Sequence, residues 1–203
     1  MKTKLLLFNL LVLSQLASAQ EIFFKAGKNL TSYSYSSSAE NQILKLKSKI
    51  GANYEIGYQE NFKEKFSYQA SVTLNQFNSF STNEVQTYSW NTTYIGLKNG
   101  IGYVLFKNQK NLSVELKGAV NLATIIDGKE EINGVIYDIK KLPEFKGLFF
   151  QPSIGLDLKY PINDNCLVNL GYTFSNAFKF SHPTDEKLAF ITNQIQFGLH
   201  FPL

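Results

Sequence analysis

Apolar residues in this chain recur at every second position, segment after segment, and that period is the strongest constraint on its fold. In 148–160, Leu148, Phe150, Pro152, Ile154, Leu156, Leu158 and Tyr160 share one face, against Phe149, Gln151, Ser153, Gly155, Asp157 and Lys159 on the other. From Cys166, the residues Cys166, Val168, Leu170, Tyr172 and Phe174 oppose Asn169, Gly171, Thr173 and Ser175. Ile191, Ile195, Phe197, Leu199 and Phe201 oppose Thr192, Gln194, Gln196, Gly198 and His200. The same pattern runs through 49–58, 66–75 and 112–122, and less regularly through 22–33. Between 85 and 106 the parity of the apolar residues changes: Tyr88, Trp90 and Tyr94 are even, while Ile95, Leu97, Ile101, Tyr103 and Leu105 are odd. A bulge near Tyr94 is the expected cause.

After residue 20 no apolar run approaches the roughly 20 residues of a spanning helix. A membrane form must therefore be a closed barrel, in which backbone groups pair between strands. The connections give a second, independent signal. Long ones, near 34–47, 77–86, 125–146 and 176–188, alternate with short ones at 59–63, 107–110 and 161–165. Short periplasmic turns and long external loops are the habit of outer-membrane barrels. The expected fold is thus an all-β, eight-stranded antiparallel up-and-down transmembrane barrel, with both termini in the periplasm.

The first residues read as a leader. Lys2 and Lys4 precede the apolar core Leu5–Leu13, and Ala17-Ser18-Ala19 has the form of a cleavage site. The expected division is a signal peptide over 1–19 and one barrel domain over 20–203. The formal charge is +4, every basic residue is Lys, and losing Lys2 and Lys4 lowers it by two. So modest a charge, with no Arg, argues against nucleic acid as a partner. Cys166 is the only cysteine, so no intramolecular disulfide forms.

Alternation alone leaves open whether the apolar face points in or out, and a soluble carrier of lipocalin type also alternates. Three features favour apolar-out. The polar faces are mostly Ser, Thr, Asn, Gln and Gly, which suit a narrow filled lumen. Aromatics cluster near the ends of the segments, among them Tyr33, Phe77, Trp90, Phe149, Phe150, Phe178 and Phe190, as interfacial girdles do. The chain also closes on a strand, Phe197–Leu203, similar to the aromatic-ended strand that barrel-assembly machinery reads.

The start Phe23-Phe24-Lys25-Ala26-Gly27-Lys28-Asn29-Leu30-Thr31 resembles the K-x-G-x-N first strand of the PorT-like outer-membrane β-barrel proteins of Bacteroidota. Phe66–Gln69, Val114–Gly118 and Gly155–Asp157 are similar to later strands of that family, and Gly100 and Gly102 stand where the family commonly has Pro. The resemblance implies the barrel fold, the outer membrane as location, and for some members a link to protein secretion.

The expected lumen residues include Lys25, Lys49, Glu55, Glu115, Lys117, Asp157 and Lys159. An eight-stranded interior is just wide enough to be filled by side chains, and charges inside must pair. A salt-bridged plug is the leading expectation and a narrow gated channel its rival. No metal or cofactor motif is present. His182 lies beside Ser181, near Asp185 and Glu186, without a Gly-x-Ser-x-Gly nucleophile turn, so no enzyme is expected. The expected partners are outer-membrane lipid and lipopolysaccharide, the barrel-assembly machinery, and an envelope protein reached through loop 125–146, with a small hairpin at Asn133-Gly134.

Overall fold

A computed structural model describes residues 21–37, 42–82, 87–179 and 187–203. The expected leader, 1–19, and the Ser181–Glu186 segment lie outside the described residues. The strands are β1 (Glu21–Ser37), β2 (Gln42–Lys63), β3 (Phe66–Thr82), β4 (Thr87–Lys107), β5 (Ser113–Ile132), β6 (Val135–Asp138), β7 (Leu148–Asn163), β8 (Cys166–Lys179) and β9 (Lys187–Pro202). Antiparallel pairing runs β4-β3-β2-β1-β9-β8-β7-β5, and a further β4–β5 pairing closes these eight into a ring. β6 lies outside the ring and pairs only with the end of β5. No described helix is long and apolar enough to cross a membrane.

The registers fix the shape of the barrel. The row from Glu21 passes through Gln59, Gln69, Gly100, Ala119, Ser153, Ser175 and Thr192 and meets β1 again at Thr31, ten residues along. With a 3.3 Å rise and strands 4.8 Å apart, that stagger over eight strands tilts them by about 40°.

Apolar side chains such as Ile56, Leu97, Ile154, Leu170 and Ile195 face outward and are exposed, while Lys25, Glu55, Asn75, Asp157 and Gln196 are buried inside. A soluble carrier would need the reverse, so that alternative falls. An outer wall this largely apolar is stable only against lipid.

The eight strands of the ring run to between 14 and 22 residues, longer than the apolar band requires. Much of what the sequence marks as long loop is therefore strand continuing past the band. The Asn133-Gly134 hairpin forms as expected, with φ of 50° and 84°, the left-handed pair that a two-residue turn needs. The rest of that loop turns inward. Ile139 N donates to Gly128 O at 3.1 Å, and Ile139 and Phe145 are both buried over the barrel mouth.

Two expectations need correction. β4 has no change of face at Tyr94: Trp90, Thr92, Tyr94, Gly96 and Gly102 are all buried and Ile95, Leu97 and Ile101 all exposed, and its own register shift comes only between Val104 and Phe106. The bulge lies in β5 instead, where Thr93 pairs with Asp127 and Tyr94 with Ile125, leaving Ile126 extra. The aromatic girdle also divides. Phe150 and Phe178 face outward, but Tyr33, Phe77, Trp90, Phe149 and Phe190 are buried inside. Both errors have one physical source. Near the long-loop end the inward face is itself apolar, so polarity there no longer marks which side is which.

Candidate functional site

Elements far apart in sequence place their inward side chains in three layers, starting from the short-turn end. The first layer is ionic. At its rim, His200 Nδ1 donates to Glu21 Oε2 at 2.9 Å, and the His200 ring stacks on Phe23 with centroids 5.2 Å apart. Lys159 Nζ reaches Glu115 Oε2 at 2.8 Å and donates to Gln59 Oε1 at 2.8 Å. The Ser67 hydroxyl donates to the other Glu115 oxygen. One step further in, Asp157 Oδ2 accepts from Lys25 Nζ at 3.0 Å and from Lys117 Nζ, which also donates to Gln69 Oε1 at 3.2 Å. Glu55 accepts from Lys98 Nζ at 3.0 Å, Ser71 Oγ at 2.8 Å and Gln196 Nε2 at 3.3 Å. Four lysines (Lys25, Lys98, Lys117 and Lys159) thus meet three carboxylates (Glu55, Glu115 and Asp157) while Glu21 meets His200, and with His200 neutral the cluster carries no net charge.

Six of the seven lumen residues expected from sequence meet here. Lys49 does not. It donates to Asn91 Oδ1 at 3.0 Å, apart from the ion pairs. The β2–β3 register shifts between Lys49 and Asn53, so alternation counted back from Glu55 fails across that step. Lys98 was missed. It shares its parity with Gly96, Gly100 and Gly102 on β4, and it is seen as inward once that strand is read as having a single inner face.

Small residues opposite the large ones make the fit possible. A Cβ on Gly102 would collide with the Glu115 carboxylate and the Ser67 hydroxyl, and one on Gly171 with the Asp157 carboxylate. Pro at position 102 would fill the space that Glu115 occupies.

The second layer is neutral and made of amides and hydroxyls. Gln194 Nε2 donates to Asn29 Oδ1 at 2.9 Å and Asn75 Oδ1 at 3.2 Å, and Asn53 Nδ2 donates to Asn29 Oδ1 at 3.2 Å. Asn121 Nδ2 donates to Gln151 Oε1 at 3.0 Å, and Gln151 Nε2 to Ser175 Oγ at 2.8 Å. Chains of such bonds satisfy buried amides that would otherwise be costly.

The third layer, at the long-loop end, is apolar. Phe190 lies within 4.7–5.7 Å, centroid to centroid, of Phe77, Tyr33, Phe149 and Tyr94. Trp90 stands edge-on to Tyr33 at 5.3 Å and to Phe145 of the inturned loop at 5.1 Å. Lys179 Nζ holds that loop through the Pro143 carbonyl. Leu46, Ile139 and Leu188 complete the plug.

Little space remains between the layers. One cavity of about 20 Å³ lies among Asn75, Asn121, Gln151 and Gln194, and one of about 10 Å³ beside Lys117 and Asp157. The larger has room for about one water molecule. An open vestibule of about 630 Å³ at the short-turn end stops at Gln59, Glu115 and Lys159. Among the described residues, no group of three His, Cys, Asp or Glu side chains is placed to hold a metal ion.

The family model described as outer membrane protein beta-barrel domain matches residues 5–201. Among solved structures, Neisserial surface protein A is 13% identical, with a TM-score of 0.49, covering 90% of this chain and 97% of that one. OprG from Pseudomonas aeruginosa is 12% identical, with a TM-score of 0.47, covering 92% and 98%. Ail, the attachment invasion locus protein of Yersinia pestis, is 10% identical, with a TM-score of 0.36, covering 89% and 99%. Among curated proteins, none matches the chain.

Proposed function

The chain belongs to the outer membrane protein beta-barrel domain family, and from that premise we propose that it is a non-enzymatic outer-membrane barrel with a closed lumen, acting through its outer surfaces rather than as a pore. The observation that carries this reading is the filled interior. A balanced ion-pair layer, an amide layer and an aromatic plug succeed one another, and the cavities between them are no larger than about 20 Å³. An ion crossing this barrel would have to displace paired charges and then pass an apolar layer that offers no ligand. Reconstituted in planar bilayers, the protein is expected to show no steady conductance. Large, stable current steps that scale with protein added would favour the channel reading instead.

With the lumen closed, contact with partners falls to the external face. There β6 carries Val135, Ile136 and Tyr137, each at least half exposed, on a hairpin that pairs on one side only. Apolar side chains on an open strand edge are the features through which extended partners add a strand. The inturned half of the same loop, Ile139–Lys146, serves as a cap. A pull-down from native outer membranes is expected to lose its envelope-protein partner when Val135, Ile136 and Tyr137 are changed to serine; an unchanged set of bound proteins would rule the hairpin out. The K-x-G-x-N start, Lys25-Ala26-Gly27-Lys28-Asn29, supports placing the chain with the PorT-like proteins of Bacteroidota, and through them a role in secretion or envelope integrity. This reading takes 1–19 as a leader and 20–203 as the mature domain, inserted by the barrel-assembly machinery, so N-terminal sequencing of the membrane form should begin at Gln20.

A further inference from the structure

The outer wall is not uniform. On β5 and β7 it is apolar through most of its height, with Leu116, Leu122, Ile154, Leu156 and Leu158 exposed. On the β8–β9–β1–β2 side, the half nearer the long loops sets polar residues among exposed Leu30, Ile50, Phe178 and Ile191. Lys28 is exposed on the outer face, paired across to Ala52 and Ile195, with Leu30 above it and Phe24 below. Asn193 lies opposite Leu30 and Phe174, while Ser32 and Asn176 both lie opposite Ile191. Ser32 Oγ is 2.6 Å from Ser48 Oγ, and Lys47 is exposed beside them. Here the wall is hollowed into a groove of about 490 Å³ whose floor is apolar (Leu46, Phe190 and Ile191) and whose polar lining is Ser32, Ser34, Lys47 and Asn176.

A cation on a lipid-facing wall is unfavourable unless its head reaches the interface or meets a counter-charge. The four-carbon stem lets the Lys28 ammonium rise toward the groove, where Lys47 adds a second positive charge. Among the described residues, 28–37, 42–54, 172–179 and 187–197 contain neither Asp nor Glu. Two ammonium groups, two serine hydroxyls and a carboxamide, set at the upper edge of an apolar wall, match a ligand with phosphates, sugar hydroxyls and acyl chains.

We propose that this face binds a phosphorylated glycolipid of the outer leaflet. Lys28 and Lys47 take the phosphate oxygens, Ser32, Ser34 and Asn176 hydrogen-bond the sugar, and the acyl chains lie on Ile195, Phe174 and their neighbours. A second copy of the chain fits less well. A two-fold interface on this patch brings lysine toward lysine, with no acid among the patch's described residues to compensate. The inference rests on the outer-membrane location and is independent of the closed lumen.

The test is native mass spectrometry of the full mature protein, folded in detergent and mixed with bisphosphorylated lipid A. Lipid A with its phosphates removed, and phosphatidylglycerol, are run in parallel. The wild type is expected to retain one bisphosphorylated lipid A and to lose most of it when the phosphates are removed. Lys28→Gln with Lys47→Gln is expected to weaken retention at least tenfold, and Ser32→Ala with Ser34→Ala several-fold. Lys110→Gln, on a short turn at the opposite end, is expected to leave it unchanged. Heat-modified gel mobility shows that each variant is folded. Equal retention by the double lysine variant overturns the proposal. So does equal retention of phosphatidylglycerol, or a dimer whose abundance falls with the same substitutions.

Discussion

Replacing Asp157 with leucine is expected to destabilise the barrel by about 3–5 kcal/mol, the cost of breaking a buried ion pair from one side. Asp157 holds two ammonium groups at once, Lys25 at 3.0 Å and Lys117, and all three side chains are almost shut off from solvent. Without the carboxylate, Lys25 loses its ion pair and Lys117 keeps only a longer one, 3.9 Å to Glu115, which Lys159 already holds at 2.8 Å, while Glu55 is taken by Lys98. Urea unfolding of the protein in liposomes, followed by gel mobility or Trp90 fluorescence, reads the loss directly. A companion variant separates charge from shape. Asp157→Leu combined with Lys25→Met and Lys117→Met removes the group as a unit, and replacing a buried ionic set with apolar side chains of similar size is often neutral or stabilising. The triple variant is therefore expected to recover most of the lost stability. An Asp157→Leu barrel within about 1 kcal/mol of wild type, a change typical of ordinary positions, would mean that the lysines find water or other partners, and that the lumen is looser than its geometry implies.

The second large effect belongs to the other end of the lumen. Phe190 is the hub of the aromatic plug, in contact with Tyr33, Phe77, Tyr94 and Phe149. Phe190→Ala removes a fully buried ring and leaves a cavity that stiff strands cannot collapse to fill, at a cost of about 3–5 kcal/mol. The same liposome titration measures it. Conductance is expected to stay absent in this variant, because the ionic layer beneath the plug is untouched. Current steps in Phe190→Ala would show instead that the plug alone seals the barrel. A stability loss below about 1 kcal/mol would show that the cavity refills, by rings tilting inward or by the Ile139–Lys146 cap moving down.

Much of the site could be read in the sequence. Glu55, Glu115, Lys117, Asp157 and Lys159 each sit on the polar parity of a regularly alternating strand, and Lys25 on that of a less regular one, so membership of the lumen follows from counting by two. Which lysine meets which acid does not follow. Lys25 and Asp157 are 132 positions apart, and they touch because the ten-residue stagger of the ring brings β1 and β7 to one height. Lys49 and Lys98 show the limit from both sides. A register shift of one residue in β2 takes Lys49 out of the network, and a mistaken change of face in β4 hid Lys98.

By itself, the sequence determined the kind of structure: strands rather than helices, apolar side chains outward, short turns at one end and long connections at the other. Those properties follow from local chemistry, because alternate residues of a strand must face opposite solvents. Tertiary structure alone decided the closure of the lumen. The aromatic plug looks in sequence like an interfacial girdle, since a ring facing lipid and a ring facing other rings have the same hydrophobicity. Only strand tilt and register determine that Tyr33, Phe77, Tyr94, Phe149 and Phe190 converge on one another and not on the membrane.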